Sequence, residues 1–219
     1  MTHASLAGSL IAIAGLVGCF GDSGASAAPI PDFDGPSPAG GIEKAVLAGG
    51  CFWGVDAVFK HVKGVRTVRS GYAGGAAETA HYDLVSAGST GHAEAVEVTF
   101  DSSRVSYATL LKIFFSVAHD PTEHNRQGPD IGTQYRSAIF FADSRQQQIA
   151  TDYIAQLSRA HVFDRPIATE VTPLSAFYPA EAYHQDFLEH HPDYPYIVFN
   201  DLPKLAALKR LYANLYQAP

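Results

Sequence analysis

Cysteine is scarce: the 219 residues hold two, Cys19 and Cys51. A folded part that contains only Cys51 has no internal disulfide framework. Basic charge is also short, with 15 Lys and Arg against 22 Asp and Glu and a formal net charge of −7. That balance leaves no electrostatic footprint for nucleic acid, which needs clustered Lys and Arg. After residue 20 no uninterrupted apolar run approaches the ~20 residues required to span a bilayer. The rest is ordinary globular composition, 47% hydrophobic, 11% aromatic and 17% charged, which suits one domain with a real core plus an extension.

The extension is at the front. Residues 1–27 carry no Lys or Arg and a single acid, Asp22. Leu6 to Val17 is too short for a spanning helix and suits the core of a signal peptide. Two processing sites compete. Ala25-Ser26-Ala27 before Ala28 has the small residues of ordinary signal cleavage, and Leu16-Val17-Gly18-Cys19 resembles a bacterial lipobox in which Cys19 is lipidated. Residues 28–41, rich in Pro, Gly and Asp, read as a flexible linker. The expectation is an exported, periplasmic protein, soluble or anchored to the membrane only through lipidated Cys19.

From residue 42 to 219 the pattern is that of one domain without internal repeats. Strands are predicted over 42–48, 65–72, 93–100, 135–142 and 167–174. Helices are predicted from Cys51 to about Val62, over 107–118 behind a Ser106 cap, over 144–160, from near Ala180, and over 202–216. Residues 120–134 read as a long polar loop. Strands that alternate with helices, some strands being sequence neighbours, predict a two-layer α+β domain with a central mixed β-sheet of ferredoxin-like character and helices packed on it.

The chemistry is concentrated where the first strand ends. Gly49-Gly50 permits a tight turn and close approach, and Cys51 then stands at a helix N-terminus, whose free N–H groups and partial positive charge lower a thiol from ~8.5 into the ~3.5–7.5 range. A thiolate there is a nucleophile, and the same pattern also suits a small cysteine packed behind the strand. Phe52 and the sole tryptophan, Trp53, follow directly, and two adjacent residues at a helix start point in different directions, so one of them can wall a cleft.

Gly50-Cys51-Phe52-Trp53-Gly54 resembles the signature of the A-type peptide methionine sulfoxide reductases. The resemblance continues through Ser70 to Gly75, Gly88 to Val96, His119 to Thr122, Asn125 to Ser137 and Phe177 to Gln185, six blocks in the family's order. It implies thiol-dependent reduction of methionine S-sulfoxide, in proteins or free, by attack of Cys51 on sulfur, with a sulfenic acid left on Cys51. In that reading Glu94 is the acid that protonates the departing oxygen, Tyr82 and Tyr135 hydrogen-bond it, Phe52 and Trp53 receive the methyl group, and Asp130 stands at the mouth of the site. No bound cofactor or metal is implied; the reductant is an external thiol, a thioredoxin, a glutaredoxin-like protein or a small thiol. The partners are oxidised proteins or peptides and that thiol protein. Two departures stand out: Asp56 where the family often has Glu, and Glu78-Thr79-Ala80-His81 before Tyr82 without the frequent Asn-Pro.

Two other readings are open to the residue types. A Cys/His thiol hydrolase would pair Cys51 with His184 or His92. A non-enzymatic metal-binding module would use His184, His190 and His191, but spacings of six and then one do not stack three ligands on one helix face.

Overall fold

The structure, a computed structural model, describes residues 28–37 and 40–218. Residues 1–27, on which the expected signal segment, Cys19 and both candidate processing sites fall, lie outside them. A six-stranded sheet forms the centre. Its strands in chain order are β1 (Ile42–Gly49), β2 (Val65–Ala73), β3 (Ala93–Asp101), β6 (Ser137–Phe141), β7 (Glu170–Pro173) and β8 (Phe177–Pro179), and a two-residue hairpin, β4 (Arg126–Gln127) with β5 (Asp130–Ile131), stands apart. The spatial order is β7-β6-β1-β3-β2-β8. All neighbours are antiparallel except β6 and β7, so the sheet is mixed, as predicted.

Period-2 alternation decides which side chains meet. Ala45 and Leu47 of β1 face the main core, while Val46 and Ala48 face a smaller cluster of mostly alanines on the opposite side. In β3 the main-core residues are Val96, Val98 and Phe100. Glu94 shares their parity and therefore points into the core side of the sheet, not to solvent. That side is covered by α1 (Phe52–Lys60), α3 (Tyr107–Ile113), α4 (Ser144–Arg159) and α6 (Leu202–Leu211), while the short helices α2 (Tyr82–Val85) and α5 (Phe187–His190) lie in connections.

Several elements differ from the sequence pattern for local reasons. The helix expected over 107–118 does begin with a Ser106 cap on the Thr109 N–H, but from Phe114 to Ala118 it widens into a π turn. There Ser116 Oγ bonds back to the Lys112 carbonyl at 2.6 Å, a side-chain bond that competes with the helical ladder. No long helix starts near Ala180; β8, a 3-10 turn (Ala182–His184) and the four-residue α5 take its place. The polar loop 120–134 contains the β4–β5 hairpin. The last helix stops at Leu211, and Tyr216 instead bridges to Val62.

Residues 28–37 correct the expectation of a flexible linker over 28–41. Ile30 is buried in the main core. The Pro31 carbonyl accepts the Tyr153 hydroxyl at 2.6 Å, Asp32 pairs with Lys112 at 2.7 Å, and Gln156 exchanges bonds with Asp34 N–H and the Asp32 carbonyl. Phe33 lies 5.6 Å from the Tyr153 ring. The apolar packing of Ile30 and Phe33, together with these polar bonds, holds this polar-looking segment on α3 and α4 as a strap.

Candidate active site

β1 delivers Cys51 to the N-cap of α1 through Gly50, whose φ of +87° lies in the region that favours glycine. The position also lacks room, since a Cβ on Gly50 would stand 2.5 Å from the Gln127 side chain. Gln127 in turn bonds both the N–H and the carbonyl of Asp120, at 2.9 and 3.0 Å. The β4–β5 hairpin is thereby fastened against the Gly-Gly turn, and Asp130 comes with it.

A cavity of about 230 Å³ opens over Cys51, below the ~300–1,000 Å³ of sites for drug-sized ligands and suited to one side chain. All seven residues singled out from the sequence line it: Cys51, Phe52, Trp53, Tyr82, Glu94, Asp130 and Tyr135. Tyr194 and Tyr196 line it too. Neither is among the seven; the signal that points to them is Tyr194-Pro195-Tyr196, two phenols around a proline in an aperiodic stretch.

Glu94 is 2% exposed, and one of its oxygens accepts the Phe52 N–H at 3.1 Å. The acid is thus held one residue from the thiol. Burial pushes its carboxyl up to about 8, helped by the nearby Asp130 and opposed by the Phe52 N–H. It therefore remains largely protonated at neutral pH.

Cys51 behaves differently from the sequence expectation. It is 8% exposed, and burial drives its thiol well above the ordinary value. The carboxyl groups of Glu94, Asp201 and Asp130 push the same way, and the Trp53 backbone N–H at the helix start opposes them without prevailing. The helix end alone would lower the thiol; three acids brought by other elements, together with desolvation, reverse the sign. The resting site therefore holds a thiol beside a neutral carboxyl.

The aromatic wall is built around Trp53. Its ring is parallel to Phe187, with centroids 3.7 Å apart and 6° between planes, and Tyr194 and Tyr196 stand edge-on. The indole N–H donates to His184 Nδ1 at 3.2 Å. Phe52, 1% exposed, packs its ring on Tyr72 and His184, so it closes the floor of the cavity. The Tyr196 hydroxyl makes a short bond to Asp130. Burial, with acidic neighbours, raises the hydroxyls of Tyr82 and Tyr135, so both are neutral donors over the whole physiological range.

The hydrolase reading needs a histidine free to take the thiol proton, and neither candidate is. His184 Nδ1 already accepts the indole proton, which places its own hydrogen on Nε2. His92 is occupied by the Gly75 N–H and the Ala76 carbonyl.

The family model described as peptide methionine sulfoxide reductase matches residues 43–215. The chain belongs to the peptide methionine sulfoxide reductase family. It is 58% identical over 178 residues to the reductase MsrA 2 of Mesorhizobium japonicum, covering 81% of this chain and 91% of that one. To the MsrA 2 of Synechocystis it is 53% identical over 87% of this chain and 89% of the relative. Among solved structures, methionine sulfoxide reductase A of Corynebacterium diphtheriae is similar at TM-score 0.60 and 33% identity, with 78% of this chain and 90% of that chain covered. Reduced Mxr1 of Saccharomyces cerevisiae is similar at TM-score 0.63 and 31% identity, with 70% and 88% covered. The activity is that of a peptide-methionine (S)-S-oxide reductase, and the hydrolase and metal-module readings are set aside.

Proposed function

We propose that Cys51 is the nucleophile, Glu94 the proton donor to oxygen, and Tyr82 and Tyr135 the hydrogen-bond donors that stabilise that oxygen as charge develops on it. The observation that carries this reading is a neutral buried carboxyl, Glu94, tied to the residue beside the thiol inside a cavity sized for one side chain. Cys51 sulfur attacks the sulfoxide sulfur while Glu94 gives its proton to the oxygen, and the proton leaving the thiol restores Glu94. The bond formed between the two sulfurs then breaks as the protonated oxygen passes from the substrate sulfur to Cys51, so methionine departs as the thioether and Cys51 is left as a sulfenic acid. Trp53 and Phe52 receive the methyl group, and the Asp130–Tyr196 pair shapes the mouth.

Cys51 is the sole cysteine after residue 19. Its sulfenic acid is therefore reduced from outside: one thiol condenses with it to a mixed disulfide and water, and a second thiol attacks that disulfide, restoring the Cys51 thiol and releasing the oxidised reductant. A thioredoxin or glutaredoxin-like protein, or a small thiol, supplies both electrons. Oxidised proteins and peptides are the substrates. The leader in residues 1–27 supports a periplasmic location, soluble after cleavage at Ala27 or lipid-anchored through Cys19.

The test is an assay of residues 28–219 on separated S and R epimers of a blocked methionine sulfoxide, with dithiothreitol and with Cys51→Ser alongside. Reduction of the S epimer alone, lost in Cys51→Ser, is expected. Turnover that survives the serine substitution would overturn the assignment of the nucleophile.

A further inference from the structure

Tyr82 stands at the first position of α2, a helix of only four residues. The first N–H groups of a helix have no partner within it, and the preceding residue, His81, makes no side-chain cap. The residues leading to it, Ala76–His81, are largely exposed and carry the Glu-Thr-Ala-His sequence noted above. Val85 seats the far end of α2 in the main core and the Ser86 carbonyl takes Gln134 Nε2 at 2.9 Å, but neither satisfies the Tyr82 N–H at its start.

The anchor comes from 99 residues away. One oxygen of Glu181 accepts the Tyr82 N–H at 3.0 Å, and the other accepts the Tyr72 hydroxyl of β2 at 2.8 Å. The turn that carries Glu181 is itself bolted to β2. Ala180 N–H donates to the Ser70 carbonyl at 2.9 Å, and Gln185 takes the Ser70 N–H and returns a bond to its carbonyl. Three residues beyond Glu181, His184 lies 4.5 Å from the Tyr82 ring and holds the Trp53 indole. A single short turn therefore secures two walls of the cavity.

We infer that Glu181 is a positioning residue for the reduction, holding Tyr82 at the sulfoxide oxygen by bridging the start of α2 to Tyr72. The inference rests on the reading that Tyr82 donates to that oxygen. What the bridge needs from residue 181 is two hydrogen-bonding atoms at the reach of a glutamate, not its charge: a glutamine can accept the Tyr82 N–H with its oxygen and donate its NH2 to the Tyr72 hydroxyl oxygen.

Glu181→Gln, Glu181→Asp and Glu181→Ala, each alone and the last also combined with Tyr82→Phe, separate reach from charge. Glu181→Gln is expected to keep most of the parent kcat. Glu181→Asp, which keeps the charge but falls one carbon short, and Glu181→Ala are expected to lose about 10- to 100-fold in kcat, the scale of a misplaced catalytic group, with KM little changed. In the Tyr82→Phe background the alanine substitution should remove almost nothing further. A 3-fluorotyrosine at position 82 gives a readout independent of turnover, its 19F resonance moving in Glu181→Asp and staying at the parent position in Glu181→Gln. Parent-like kcat in Glu181→Asp, a loss in Glu181→Gln as large as in Glu181→Asp, an additive loss on Tyr82→Phe, or an unmoved 19F signal would each overturn it. If Glu181→Ala fails to fold, the Asp and Gln variants still decide. If the parent itself does not reduce the S epimer, the reading of Tyr82 falls while the fluorine signal still reports whether Glu181 holds the ring.

Discussion

Glu94 is kept neutral by the same burial that costs the fold stability. In the unfolded chain it titrates near ~4.3, and in the fold near about 8. Between those values the unfolded state releases a proton that the native state retains. Its contribution is therefore complete below ~4 and is lost as pH rises through about 8. Glutamine cannot ionise and can still accept the Phe52 N–H. Glu94→Gln should accordingly melt roughly 2–8 °C above the parent at pH 8, with the gap closing towards pH 5, while kcat falls about 100-fold or more. Calorimetry and the S-epimer assay on the same preparation check both halves. In the parent, kcat should decline above pH 8 as the carboxyl loses its proton. A profile flat from pH 6 to pH 10 would remove Glu94 as the acid.

At the scale of elements, two attachments make predictions of opposite kind. The strap over residues 28–37 is seated by Ile30 and contributes no residue to the lining of the cavity. Ile30→Ala is expected to cost about 2–4 kcal/mol, read by denaturant titration, with kcat unchanged. Gly50→Ala places a methyl against Gln127 at a positive φ. It should cost about 1–3 kcal/mol and also reduce kcat, because the hairpin that brings Asp130 must shift. The legibility of these elements in the sequence follows from how local their causes are. β1, the Gly-Gly turn and the start of α1 are written in one unbroken run from Ile42 to Trp53, and Glu94 is placed inside by the parity of Val96, Val98 and Phe100. The strap was hidden because one isoleucine among Pro, Gly and Asp gives no periodic signal. Tyr194 and Tyr196 arrive on a stretch without periodicity that ends in a π turn (Ile197–Asp201). The raised thiol was also hidden, since it comes first from burial and then from Glu94, Asp201 and Asp130, which tertiary packing rather than sequence spacing brings to Cys51.

For the whole molecule, one thiol in residues 28–219 sets the stoichiometry. Without reductant, a preparation of that span mixed with excess S sulfoxide should release one methionine per chain and stop, carrying a sulfenic acid and no intramolecular disulfide. Mass mapping after trapping with a dicarbonyl reagent checks this, and continued release would contradict the one-cysteine cycle. The sole tryptophan in the sequence, moreover, is a wall of the cavity, stacked on Phe187 and bonded to His184. Its emission, excited selectively over the tyrosines, is thus a single-site optical gauge with no second tryptophan to blur it. A blue or red shift on adding sulfoxide reads occupancy directly. A fluorescence midpoint that precedes the circular-dichroism midpoint in urea would mean that the catalytic pocket loosens before the sheet does.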